Sequence, residues 1–236
     1  LQAISWFLSA IAFQVPPGRE RSTATAPRGA GARPGADRRG YQGFGVRSTS
    51  ANMTPRTALR LTRPFTLLPP LLGIVSGAVC AFGSVHNPDP EHRLTWAVVA
   101  AIALGSLCAS FLNAASNVLN QITDLEVDRV NKPDRPLVTG EAGLRETWVL
   151  TWVLYALAVV PVWFVVVPPR EGLAARLLAP LGTHQTFFLF LGGLVFTLVY
   201  SLPSWGRTKR LGMWANVTIA IPRGCLLKVA GWTMVA

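Results

Sequence analysis

The stretch NAASNVLNQITDLEVDRVNKPDRPLVTGE, residues 113–141, decides the reading of this chain. It continues an apolar run that begins near residue 95 and carries Asn113, Asn117, Asn120, Asp124 and Asp128. Steps of four, three, four and four residues place all five on one face of a helix. Three amides and two carboxylates would form a single stripe leading out of a membrane, with neighbours ~6 Å apart at the α-helical rise. Polar side chains at membrane depth are costly, face the protein interior and mark function.

Composition agrees with a membrane setting. Half of the 236 residues are hydrophobic and only 14% are charged, against about 25% in a soluble domain. The net charge is +11, and ten of the 22 basic residues precede Phe65. Most of the others flank apolar runs, which suits anionic lipid and control of topology, not a nucleic-acid groove. Cys80, Cys108 and Cys225 lie in apolar stretches without pairing or metal spacing and read as small hydrophobes. His86, His92 and His184 have no ligand spacing and read as loop residues.

Residues 1–52 form an N-terminal extension of different character. Arg19–Ser50 is rich in Gly, Pro, Ala and Arg, cannot bury a core and is expected to be disordered. It is either an acid-poor transit peptide or sequence upstream of a start at Met53. Residues 53–236 form the membrane domain. Spans are expected near 65–84, 95–118, 148–168, 186–203 and 213–235, each close to the ~20 residues that cross a ~30 Å hydrocarbon core. Pro69 and Pro70 in the first and Pro222 in the fifth call for neighbours that re-satisfy freed carbonyls. Gly73, Gly77, Gly192 and Gly193 would allow close helix contact. The fold class is all-α, a multi-span transmembrane helical bundle.

Ten basic residues (Arg56, Arg60, Arg63, Arg129, Lys132, Arg135, Arg145, Arg207, Lys209 and Arg210) fall on one side of such a bundle. Three, Arg93, Arg170 and Arg176, fall on the other. The first side is therefore expected to be cytoplasmic. The membrane is a bacterial or archaeal cell membrane, or an organelle membrane if residues 1–52 are a transit peptide.

Carboxylate and amide oxygens suit a hard cation. Mg²⁺ keeps several waters and is held by one or two carboxylates together with substrate phosphates. Asn120, Asp124 and Asp128 are therefore the candidate metal ligands, with Asp124 and Asp128 the candidate catalytic pair. Arg129, Lys132 and Arg135 follow closely enough to supply phosphate contacts. An Asp-x-x-x-Asp pair alone also marks many plain helix exits, with Arg129 pairing Asp124 or Glu126. Arg223 lies about ten residues into the fifth span, where an anion-facing role outweighs lipid exposure. Lys228 is nearer the far end and can snorkel. Lys209 and Arg210 read as phosphate ligands or as a topology signal.

Asn120-Gln-Ile-Thr-Asp124-Leu-Glu-Val-Asp128 resembles the first aspartate-rich motif of the UbiA superfamily of intramembrane prenyltransferases. The following Arg129-Val-Asn-Lys-Pro-Asp-Arg-Pro-Leu-Val-Thr-Gly140 is similar as well. Tyr200-Ser-Leu-Pro203 resembles the family's Tyr-Ser-x-Pro after helix four. Arg223-Gly224 resembles an Arg-Gly of homogentisate-type members, and Arg63-Pro64 the start of helix one. The resemblance implies a Mg²⁺-dependent transfer of a prenyl group from an isoprenoid diphosphate to an aromatic or other lipophilic acceptor within the membrane. It implies substrate contacts from Asn113, Asn117, Asn120, Arg129, Lys132, Arg135, Tyr200, Lys209, Arg210 and Arg223. The family has nine helices and a second aspartate-rich motif. This sequence has no aspartate after Asp134 and about five spans, so it is expected to be the N-terminal portion of such a bundle. Two other readings stay open: an ion-coupled transporter using Asp124 and Asp128 as a cation site, and a catalytically incomplete membrane subunit.

Overall fold

The structure, a computed structural model, describes residues 53–85, 87, 94–166 and 172–235. The expected disorder of residues 1–52 lies outside them, as do His86, His92, Arg93 and Arg170. Every regular element among the described residues is helical.

Helix α1 (Pro55–Thr62) starts where Thr54 Oγ1 accepts the Thr57 N–H at 3.2 Å, with Pro55 in the first turn. It ends at Arg63, whose φ of 55° turns the chain left-handed ahead of Pro64. A 3₁₀ turn, Pro64–Thr66, leads into α2 (Leu68–Phe82). Pro69 and Pro70 occupy the first turn of α2, where a missing N–H costs nothing. No neighbour has to repair the helix there, contrary to the expectation from sequence.

Helix α3 (Trp96–Thr123) is 28 residues long and is capped by Thr95, which accepts from Val98 N–H. It stops at Asp124 (φ −107°, ψ 10°), and α4 (Leu125–Asn131) continues after this joint. The stripe is therefore not carried by one uninterrupted helix. Short α5 (Pro136–Thr139) ends at Gly140, which has a positive φ of 80°. Then come α6 (Leu144–Val159), α7 (Leu173–Leu177) and α8 (Gln185–Ser201). The last helix is compound: α9 (Met213–Ala220), a π segment (Ile221–Leu226) and α10 (Leu227–Trp232). Proline at the second π position lacks the N–H of a regular ladder, and the chain widens there in place of breaking.

Three helical runs among the described residues, Pro64–Phe82, Trp96–Thr123 and Leu144–Phe164, are long and apolar enough to cross a membrane. Helix α8 is apolar but 17 residues long. At 1.5 Å per residue it reaches ~26 Å, just short of a typical hydrocarbon core. With the compound fifth helix the chain forms a multi-span bundle, and the protein is an integral membrane protein.

Helix α3 is central and packs against α2, α6 and α8, while α10 lies along α2. Val118, Leu119, Ala115, Tyr155, Ala158 and Phe190 fill the core. Two glycines fix the α2–α10 contact. A Cβ on Gly77 would run into the Lys228 backbone, and one on Gly231 into the Ile74 carbonyl. Gly192, expected at a contact, has only the tip of Leu226 nearby. His184 does lie between helices, but it is fully buried. Its ring stacks on Trp163 at 4.0 Å, and its two nitrogens lie 2.9 and 3.3 Å from the Trp163 and Ala179 carbonyls.

Candidate functional site

The last carbonyls of α1 have no partner within their own helix, and in lipid each must find one. Two amides of α3 supply donors to them, and a third serves the 3₁₀ turn that follows. Gln121 Nε2 donates to Leu61 O at 2.7 Å and Asn117 Nδ2 to Thr62 O at 2.9 Å. Asn113 Nδ2 donates to Thr66 O at 2.8 Å, and Asn113 and Asn117 both reach Thr66 Oγ1. So Asn113 and Asn117 use their NH₂ groups to hold the entry segment against the bundle. Their oxygens remain for other work.

Asn120 looks the other way, toward the end of α8. Its Oδ1 accepts from Ser201 Oγ at 2.9 Å and from Lys209 Nζ at 3.4 Å. One turn later, Asp124 Oδ1 lies 2.8 Å from Lys209 Nζ and 3.1 Å from Arg207 Nη2. Arg207 Nη2 also donates to the terminal α3 carbonyl, Thr123 O, at 2.6 Å. Burial holds the Lys209 ammonium below its ordinary pKa, the Asp124 contact pushes back, and Arg207 and Arg210 lower it further. Asp128 is buried on α4 and ion-paired with Arg135. Burial and the nearby Arg63 charge lower the Arg135 pKa, while Asp124 opposes them.

Beside this cluster lies a cavity of about 300 Å³. Its polar lining includes Arg63, Asn113, Asn117, Asn120, Tyr200 and Arg223. Leu112, Leu189, Phe190, Phe196, Leu226 and Leu227 form much of the apolar remainder. The aromatic side chains that line it are Phe190, Phe196 and Tyr200, and among the described residues no tryptophan does.

Among the described residues no three His, Cys, Asp or Glu side chains converge. A closed protein cage for a metal is therefore not what these residues build. Two carboxylates and an amide oxygen on successive turns fit a hard cation that completes its shell with water and phosphate oxygens. The ammonium and guanidinium groups already on the carboxylates are the right partners for such phosphates.

The family model for the UbiA prenyltransferase family matches residues 70–236. This chain belongs to that family. The bacteriochlorophyll synthase 34 kDa chain of Chloroflexus aurantiacus is 32% identical over 175 residues, covering 74% of this chain and 48% of that one. Digeranylgeranylglyceryl phosphate synthase of Ignicoccus hospitalis is 34% identical over 146 residues, covering 62% and 43%. Among solved structures, a UbiA homolog from Archaeoglobus fulgidus bound to GPP and Mg²⁺ superposes with a TM-score of 0.54 at 26% identity, covering 76% and 54%. The chain therefore spans about half the length of the relatives it matches.

In this UbiA-family chain the expected site residues separate into groups. Asn113, Asn117, Asn120, Tyr200 and Arg223 meet at the cavity. Asp124, Lys209, Asp128 and Arg135 form ion pairs at the adjoining end of α3 and in α4. Arg129, Lys132 and Arg210 are exposed and do not line the cavity. Asp124 pairs with Lys209 and Arg207, not with Arg129. Three participants escaped the sequence reading of the site. Arg207 enters there only as a topology charge, Ser201 only as part of the Tyr200–Pro203 resemblance, and Arg63 only as a topology charge and motif marker. Spacing along one helix cannot reveal partners supplied by another chain segment.

Proposed function

We propose that this chain binds an isoprenoid diphosphate and takes part in prenyl transfer to an aromatic or other lipophilic acceptor within the membrane. What carries the reading is the cavity. It is walled by apolar side chains, and its polar end is joined through Asn120 and Lys209 to the Asp124 carboxylate. An amphiphile with an anionic head and a hydrocarbon tail matches that polarity gradient. The family, and the GPP and Mg²⁺ in the A. fulgidus homolog, point the same way.

Asn120, Asp124 and Asp128 would hold Mg²⁺, which neutralises diphosphate charge as the allylic C–O bond loosens. Lys209 and Arg207 would bind phosphate oxygens and keep Asp124 oriented. Arg135 would hold the Asp128 carboxylate in place. The apolar wall excludes water from the reacting carbon, and Phe190, Phe196 and Tyr200 offer their faces to developing positive charge. The basic side of the bundle faces the cytoplasm in this proposal, and residues 53–236 form the catalytic membrane domain.

The test uses the protein in lipid nanodiscs with radiolabelled geranyl diphosphate. Retention should require Mg²⁺ and be abolished by EDTA, and label should pass to members of a panel of lipophilic phenols. Retention that ignores both EDTA and Asp124→Ala would overturn the metal–diphosphate assignment. Metal-dependent retention without transfer to any acceptor would overturn the reaction but leave the binding site standing.

A further inference from the structure

Among the side chains that line the cavity, Thr197 of α8 carries a hydroxyl that is already spent. Its Oγ1 donates to Leu194 O, three residues back, at 2.8 Å. Across the gap to α6, the phenol oxygen of Tyr155 lies 2.7 Å from the same Oγ1. A threonine hydroxyl has one proton. Leu194 takes it, so the phenol is the donor to Thr197. Tyr155 does not itself line the cavity and is only 2% exposed. It stands behind the wall.

We infer that Tyr155 is a positioning residue for the isoprenoid chain of the donor. By donating to Thr197 it keeps that hydroxyl turned away, so the first carbons of the chain meet a methyl group. The inference rests on the prenyl-transfer reading above and adds a determinant of tail binding that lies outside the cavity.

Place along α8 gives the contact its meaning. Ser201, four residues after Thr197, donates to Asn120 Oδ1 at the polar end of the cavity. Thr197 therefore sits ~6 Å deeper, at the α-helical rise. The carbons next to a diphosphate held at Asn120, Asp124 and Lys209 reach that level. The other α8 residues on the wall at and beyond it are Leu189, Phe190, Gly193 and Phe196, all apolar. Thr197 is the one α8 position in this stretch where polarity has to be hidden.

Threonine in a helix divides between two rotamers, because its oxygen can reach a carbonyl of the preceding turn. With Oγ1 tied to Leu194 O and Tyr155, what remains for the cavity is the methyl. An unpaired hydroxyl against hydrocarbon is costly, or it brings a water with it. Water at this depth would compete with the acceptor for the allylic carbon. A phenol suits the task. Its ring fills the core among α3, α6 and α8, and its O–H reaches the one acceptor it needs. Phenylalanine would fill the same space and leave Thr197 free to turn.

Equilibrium binding to the whole chain in nanodiscs tests this without depending on turnover. The probes are geranyl diphosphate and inorganic pyrophosphate, each with Mg²⁺. Tyr155→Phe should weaken geranyl diphosphate ~10-fold, the scale of one hydroxyl left unpaired, and leave pyrophosphate unchanged. Adding Thr197→Val should restore the loss, because a phenyl ring beside an isopropyl group has no polar atom left over. In the unaltered protein Thr197→Val should gain ~2-fold at most, so the cycle is strongly non-additive. Normal geranyl diphosphate binding by Tyr155→Phe would overturn the inference. So would a loss that Thr197→Val fails to restore, or an equal gain from Thr197→Val in both backgrounds. A parallel loss of pyrophosphate would mean general damage and also overturn it. Failure of the unaltered protein to retain either probe with Mg²⁺ would strike the prenyl-transfer reading itself, and the inference with it.

Discussion

Asp124 lies 2.8 Å from Lys209, so the joint after α3 and the loop after α8 meet on a single carboxylate. Two segments far apart in sequence thereby build one charged cluster at one end of the bundle. Asp124→Ala should reduce Mg²⁺-dependent geranyl diphosphate binding by at least ~10²-fold, the scale of removing one electrostatic stabiliser. Asp128→Ala should do the same. Glu126→Ala, on an exposed side chain of α4, should change it by no more than a few-fold. Near-normal binding by Asp124→Ala, measured with labelled ligand in nanodiscs, would remove the carboxylate from the site.

Arg207 bridges Thr123 O and Asp124, and its Nε is buried without a partner among the described residues. That donor is available to a phosphate oxygen. Arg207→Ala is expected to weaken geranyl diphosphate binding ~10-fold or more, with partial recovery in Arg207→Lys. Coupling to Asp124→Ala should be strongly non-additive in a double-mutant cycle, because the two groups touch. Simple additivity would mean that they act apart.

Asn117 is a clamp as well as a cavity residue. Asn117→Leu leaves Thr62 O and Thr66 Oγ1 without their shared donor. The cost should be ~1–2 kcal/mol, within the range for interhelical hydrogen bonds in membranes. Thermal unfolding in detergent should show a lower Tm for Asn117→Leu. An unchanged Tm would show that α1 is held by its other contacts.

Gly77 and Gly231 set the α2–α10 distance. Gly77→Val or Gly231→Val should force backbone apart from backbone and lower stability by several kcal/mol, beyond the usual overpacking range of ~1–3 kcal/mol. Gly192→Ala meets only a leucine tip and should be near neutral. Equal thermal stability of the three variants would contradict this geometry.

Orientation can be read with a single label. Asp134→Cys should react with a membrane-impermeant maleimide only when the cytoplasmic face is opened, as the ten-to-three basic asymmetry requires. Labelling from outside intact cells would invert the proposed topology.

The helices were legible because hydropathy and length report directly on burial in lipid; the first, fourth and fifth expected spans match closely, while the second runs on to Thr123 and the third starts at Leu144 and leaves the α-helix after Val159. The polar stripe was legible as spacing, and it led to α3. Its continuity was not. A residue such as Asp124 can take part in an almost unbroken hydrogen-bond ladder and still redirect the chain. The double duty of Asn113 and Asn117 was equally hidden, since their NH₂ partners are α1 and Thr66 carbonyls that only tertiary packing brings near. Gly231 is one of 21 glycines, and nothing local distinguishes it from the rest. Likewise, His184 carries no spacing signal, because its partners are backbone carbonyls of Trp163 and Ala179.

The seam between Gly77 and Gly231 also constrains the order of assembly. The first long helix finds its closest neighbour in a segment that follows it only after three further long helices have been made. At ~5–20 residues per second, α2 waits on the order of ten seconds before that surface can be covered. During this interval its two-proline start and small-residue face must be tolerated by lipid or by the insertion machinery. Slowing translation between the fourth and fifth helices should therefore expose α2 to degradation before it exposes α3, which by then has gained α6 and α8.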